Sequence, residues 1–471
     1  MNDLTVRGGT VFTPLGPIQA DVHVRDGVVE AVVDWGTRPP TGEVWDATGL
    51  LVLPGAVDIH VHGREPGLPE KEDFEHLTAA AAAGGVTTVV EMPNTIPAVD
   101  RLDSFEAKLE RLSARAHIDF ALWALIRAGT TPDDVDSLAE AGAIGFKAFL
   151  GYAWRRSTGQ VTQTFAPDPE LEPPPDYGTL SRLAADVRRW SLPVAVHAED
   201  ASVLAAFARP LDRYQDVLAS RPDVAEAVAV AGVGAVARET GLRVHVVHLS
   251  SAAGLRAAKA AIAAGAALSL ETCPQYLWLT EADFERLGNW MKVFPPVRTA
   301  ADREALRDAL VDGSIQLVST DHAPHSDADK ALPFADAPAG APGVQTLLLS
   351  SLQLARDRGD VGLAVRWLSE NPARLLDLYP RKGALEPGSE ADLVLVDPSA
   401  TTTVRAEDML SKQKHGLLEG ARFDFAIRAV LSRGELVVKD GRLLSRPGRG
   451  RMLRPARAGR SGSSAAPARG L

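Results

Sequence analysis

Val57-Asp58-Ile59-His60-Val61-His62 alternates β-branched or apolar residues with polar ones. In a strand, positions i and i+2 project to the same face, so His60 and His62 can reach one metal ion together. The pair can equally be two satisfied polar histidines, and only its surroundings decide. Outward from it, similar apolar runs recur at Val86–Met92, Ile118–Ile126, Ile144–Leu150, Leu192–Ala198, Leu242–Ser250, Ala266–Thr272 and Ile315–Asp321. Segments with helical periodicity separate most of them, among them Asp73–Ala83, Ser181–Trp190, Val224–Thr240, Ala252–Ala264 and Ala301–Val311. Apolar strands alternating with helices imply a parallel sheet covered on both faces. Eight such units predict a closed (β/α)₈ TIM-like barrel. An open doubly wound sheet would call for a glycine-rich phosphate turn after its first strand, and the sequence has none there.

The two ends read differently. Residues 1 to 54 carry short strands such as Leu4–Val6, Asp21–Val24 and Val28–Val33, with an Asp26-Gly27 hairpin turn. The pattern returns at Ala391–Val396, Ala426–Ser432 and Glu435–Val438, with Asp440-Gly441 as a turn. The expectation is a composite β-sandwich from residues 1–54 and 384–445, with the barrel at 55–383. Two segments break the barrel rhythm, Tyr152–Tyr177 and Ser326–Pro342. Each follows a strand, where a barrel keeps its active-site loops, so each is a lid or a plain surface insertion.

The chain has 471 residues and a formal net charge of −11, which argues against a general nucleic-acid surface. After Ser445 it carries seven arginines and no acid. Without those seven, 43 basic residues face 61 acids, so the preceding part is more acidic still. The Gly-, Ser- and Pro-rich residues 446–471 read as a disordered, solvated basic tail rather than a lipid or nucleic-acid contact. The single cysteine, Cys273, excludes an intrachain disulfide and suits a cytoplasmic setting. No basic start followed by an apolar core marks a signal peptide, and no apolar run is long enough for a membrane span.

Other chemistry-bearing residues fall at later strand ends. Lys147 lies among apolar residues in Gly145-Phe146-Lys147-Ala148-Phe149. A buried ammonium is expensive. It must snorkel, pair with a carboxylate, or become a desolvated amine able to capture CO₂ as a bridging carbamate ligand. His197 ends Val194-Ala195-Val196-His197, His248 ends Val246-Val247-His248, and Asp321 ends Val318-Ser319-Thr320-Asp321. His245, three residues before His248, belongs to the other face. Barrel active sites are built at the C-terminal ends of strands, where all of these fall. Cys273 has no base beside it in sequence and reads as packing.

The set HxH, Lys, His, His, Asp resembles the cyclic-amide branch of the amidohydrolase superfamily, namely dihydroorotases, allantoinases and hydantoinases, over residues 1 to 445. The resemblance implies that His60, His62 and Asp321 hold one divalent metal and His197 and His248 a second, with carboxylated Lys147 bridging. Zinc is the usual metal there, and N/O donors also admit manganese, cobalt or iron. Asp321 would shuttle the proton of a metal-activated water to the leaving ring nitrogen.

For the substrate, two sets of motifs compete. Arg64 in His62-Gly63-Arg64-Glu65-Pro66-Gly67, Asn94 in Met92-Pro93-Asn94-Thr95 and His325 in Asp321-His322-Ala323-Pro324-His325 are similar to dihydroorotase motifs that grip a substrate carboxylate. The main expectation is therefore interconversion of L-dihydroorotate and N-carbamoyl-L-aspartate. For Arg64 alone, a salt bridge to Glu65 or Glu70 is the plain reading. Glu271-Thr272-Cys273-Pro274-Gln275-Tyr276-Leu277, and Phe294 where bacterial dihydroorotases often carry Asn, resemble allantoinases and hydantoinases instead. A non-catalytic scaffold would be expected to lose ligands, and all six are present. The expected partner is a small cyclic amide, with no nucleic acid or membrane, in a homo-oligomer (dimer or tetramer).

Overall fold

The computed structural model describes residues 3–163 and 168–456. Eight parallel strands form the central sheet: β1 (Ala56–Val61), β2 (Val86–Glu91), β3 (Asp119–Ile126), β4 (Gly145–Phe149), β5 (Val194–His197), β6 (Val244–Val246), β7 (Leu268–Thr272) and β8 (Leu317–Val318). Each pairs with the next in chain order. The ring closes where Val61 bridges His322 in parallel. Asp58 reinforces that seam by accepting from the Thr320 hydroxyl at 2.5 Å and the Thr320 N–H at 3.1 Å. Every residue of β1, β2, β3 and β4 is buried, as a barrel covered by helices requires.

The connecting helices begin where local chemistry permits. Asp73 caps Phe74–Ala83 by accepting from the His76 N–H. Thr131 caps Pro132–Ala141, whose first residue lacks the N–H that would go unpaired there. Leu77, Phe105, Leu138, Leu183 and Val233 bury the inner helix faces in the main core.

Both chain ends meet in one nine-stranded sheet. Leu51–Pro54 is the seam: it runs parallel to Leu4–Thr13 and antiparallel to Leu393–Asp397. Asp26-Gly27 and Asp440-Gly441 both have positive φ and turn their hairpins, which is why Asp-Gly stands at each. The sheet keeps its own core of Val6, Val11, Val22, Val29, Leu393 and Leu431.

The tail expectation needs correction. Residues 446–456 are laid along the barrel floor rather than disordered. Met452 bridges Phe120, Leu453 N–H donates to the Phe120 carbonyl at 2.7 Å, and Leu453 is buried. Arg449 donates to the His117 and Ser432 carbonyls. Composition alone hid this, because one buried leucine and a few well-placed backbone bonds suffice to order a short strap. The rest of the predicted tail lies outside the described residues.

Candidate active site

The histidines, lysine and aspartate gather at one end of the barrel. His60, His248 and Asp321 offer ligand atoms within 4.8 Å of one another. His62 Nε2 lies 3.1 Å and His60 Nε2 3.3 Å from the same oxygen, Asp321 Oδ1. His197 Nδ1 lies 2.8 Å from His248 Nε2. Lys147 is wholly buried, and its Nζ has no hydrogen-bond partner among the described residues. The Nδ1 of His248 is likewise unpartnered there. Six side chains expected to act together are thus in one place.

Burial sets their protonation. It lowers His62 to about 4, lowers His197, and takes His248 well below its ordinary value. It also lowers Lys147 to about 7. Asp321 is held well below the usual carboxylate range: burial pushes it up, but His60, His62 and His248 outweigh that. The donor set therefore includes three imidazoles whose proton affinity burial lowers, a readily deprotonated amine and an ionised carboxylate. Donors of that type in that state fit divalent metals.

The backbone is bent to deliver them. Arg64, His248 and Asp321 have φ of 58°, 40° and 50°, in the left-handed region that non-glycine residues rarely enter. Each such residue costs on the order of 1–3 kcal/mol and persists where surrounding structure over-determines it. All three border the same cavity.

Sequence reading missed the residues behind the ligands. Glu271, buried at the end of β7, places Oε1 2.6 Å from His60 Nδ1 and Oε2 3.0 Å from His245 Nε2. His245 thus supports the site from the far side of Glu271. Glu199 Oε2 lies 2.8 Å from His197 Nε2, and Arg221 donates to that same oxygen. A carboxylate in an apolar strand was the available signal for Glu271. Arg221, 22 residues from Glu199 in the chain, gave none. Cys273 is buried, and burial pushes its thiol well up, so it stays protonated.

The expected carboxylate grip is arranged otherwise. Asn94 Oδ1 lies 2.8 Å from His62 Nδ1 and accepts from it. Glu65 pairs with Arg111 and Arg115, not with Arg64. Arg64 Nε donates to the Pro324 carbonyl at 3.2 Å, and its Nη2 sits 3.2 Å from His325 Nε2. The other His325 nitrogen, Nδ1, lies 3.2 Å from Lys71 Nζ, which can only donate. The ring then carries its proton on Nε2 and donates it to the Ala339 carbonyl at 2.9 Å. Burial, Arg64 and Lys71 lower His325 to about 2, in keeping with a neutral ring. Gly340 is fixed here: at φ 134°, a Cβ would lie 2.3 Å from the Ala323 carbonyl oxygen.

A cavity of about 690 Å³ opens over the cluster. Both irregular segments help to line it. Ala153–Arg155, Gln160–Thr162 and Leu171–Glu172 form a small three-stranded sheet, with Tyr152, Val161 and Gln163 facing the cavity. Residues 335–342 form another wall, and Phe294, Gln413 and Lys414 line it too. Tyr152 packs edge-on against His197 with centroids 4.8 Å apart. Burial raises its phenol to about 12, so it remains an O–H donor.

Imidazoles, a carboxylate and a buried amine gathered at the strand ends of a closed barrel are the donor types that a metal-assisted hydrolase site uses. Residues 51–437 match the Amidohydrolase family, and the chain belongs to it. It is 38% identical to an allantoinase from Rubrobacter xylanophilus (strain DSM 9941), over 97% of this chain and 98% of that one. It is 34% identical to a dihydroorotase from Methanosarcina mazei, over 96% and 98%. Its fold matches the solved L-hydantoinase (dihydropyrimidinase) from Arthrobacter aurescens with a TM-score of 0.88 at 31% identity, covering 96% of this chain and 99% of that one. The chain is thus a hydrolase of carbon–nitrogen bonds in cyclic amides, in the branch that holds these three activities. No helix among the described residues is long and apolar enough to cross a membrane.

Proposed function

We propose that the protein opens a cyclic ureide of the allantoin or hydantoin class. One observation carries this reading: both ring nitrogens of His325 are engaged inside the protein, by Lys71 and by the Ala339 carbonyl. Asn94 gives its Oδ1 to His62, and of the three groups expected to grip a substrate carboxylate His325 is the one already committed. A ring without a carboxylate needs no such grip. The 38% identical allantoinase points the same way. Dihydroorotate, the main expectation from sequence, becomes the second reading. Arg64 still lines the cavity and keeps it open.

His60, His62 and Asp321 would hold one divalent ion and His197 and His248 another, with Lys147 between them. Zinc suits these donors. When bound, the ions would lower the pKa of a water toward neutrality and polarise a carbonyl. The residues supply the rest. Lys147, lowered to about 7 by burial, can attack CO₂ in its unprotonated form: an N–C bond forms, a proton leaves to solvent, and an anionic two-oxygen ligand results. Asp321, ionised, accepts the proton of the attacking water. As the ring C–N bond breaks, it returns that proton to the leaving nitrogen. Tyr152, a neutral phenol on the cavity wall, can donate to the substrate carbonyl.

The test is turnover by metal-replete, bicarbonate-supplemented protein on allantoin, hydantoin, dihydrouracil and dihydroorotate. A preference for a ring without a carboxylate supports the reading. A clear preference for dihydroorotate overturns it and leaves the reaction class standing.

A further inference from the structure

We infer that Arg221 is a positioning residue that ties the metal-side histidine His197 to the aromatic wall of the substrate cavity. Arg221 is 4% exposed and does two things at once. Its Nη1 donates to Glu199 Oε2, the oxygen that lies 2.8 Å from His197 Nε2. Its guanidinium carbon lies 4.0 Å from the centroid of Phe294, which lines the cavity. Tyr152, on the same cavity and edge-on to His197, lies 5.9 Å from that carbon. Arg298 fixes the arrangement from behind, donating to the Arg221 carbonyl at 3.0 Å.

The chemistry gives each contact a consequence. A carboxylate accepting from His197 Nε2 fixes the proton on that nitrogen and turns Nδ1 toward His248. Such outer contacts typically change metal affinity by about 10–100-fold when lost. Glu199 is wholly buried, and Arg221 is the cation that pairs with it there. Without Arg221, the carboxylate that orients His197 would be left buried without that partner. The planar guanidinium face also backs Phe294, fixing the ring that a substrate ring would meet. Lysine could keep the charge but not the face.

The inference rests on the metal reading above, and three variants separate the two. Metal per chain is measured after equilibration against graded chelator, beside kcat and KM on the best ring substrate. Arg221→Met should release metal at about 10–100-fold lower chelator strength. Glu199→Gln, which keeps the shape, should do the same if Arg221→Met does not fold. Arg221→Lys should hold metal as the parent does but raise KM several-fold, as should Phe294→Leu. Parent-like metal retention in both Arg221→Met and Glu199→Gln overturns the inference. So does an unchanged KM in Arg221→Lys. A parent protein that binds no metal overturns the metal reading itself.

Discussion

Lys71 Nζ and His325 Nδ1 lie 3.2 Å apart, and because the ammonium can only donate, the histidine accepts there and is held neutral. His325 thereby serves the loop that walls the cavity, through Ala339, instead of presenting an N–H to substrate.

Arg64→Ala separates the two substrate readings. A ring without a carboxylate should lose less than about tenfold in kcat/KM, the equivalent of roughly 1.4 kcal/mol. Loss of about a thousandfold on dihydroorotate, with that ring the preferred substrate, would contradict the ureide reading.

Glu271→Gln should weaken metal binding. Glu271 accepts from both His60 and His245, and the amide can accept from only one of them. The expected loss is about 10–100-fold in metal affinity, read by competition with a chelator. His245→Ala should show a smaller loss of the same kind.

Lys147 gives the metal-free protein a pH signature. Its folded value is about 7, below the ordinary lysine value of 10.5, because of burial. Between those two values the unfolded chain holds a proton that the folded one lacks, so stability rises with pH across that window. From pH 7 to pH 8.5 the metal-free protein should gain about 1–2 kcal/mol relative to Lys147→Met. Urea unfolding of both at each pH measures it, and parallel curves would refute it.

The barrel floor carries a separate stability prediction. Lys382 is wholly buried and meets Asp119 and Asp392 at 2.7 Å each, and Arg433 pairs with Asp119. Asp119 also accepts from the Arg451 N–H of the C-terminal strap. Lys382→Met leaves the buried Asp392 without its cation and strips Asp119 of one of its two, and should cost about 3–5 kcal/mol. Thermal unfolding reads the loss.

The barrel and the strand-end placement of the candidate ligands were legible in the sequence because both depend on short-range pattern. Apolar β-branched runs declare buried parallel strands, and His60-x-His62 declares a shared face. The eight strands fall where the runs predicted them, although β6 and β8 are shorter than their runs. What stayed hidden is pairing between distant side chains. Nothing near His325 in sequence announces Lys71, 254 positions away. Asn94 and His325 sit at the site as motif reading placed them, but hydrogen bonding turns them to His62 and to the loop. The strap at 446–456 was misread for a related reason. A basic, glycine-rich composition looks unfolded until Leu453 meets Phe120.

The most direct test of the metal-assisted site is the metal content of protein purified without chelator, measured by elemental analysis on the parent and on Lys147→Ala. The parent should carry close to two divalent ions per chain, and the variant one or fewer, with hydrolysis falling by about a thousandfold, which is several kcal/mol of lost stabilisation. Full hydrolysis by parent protein that holds no metal, or equal metal and activity in Lys147→Ala, would contradict it.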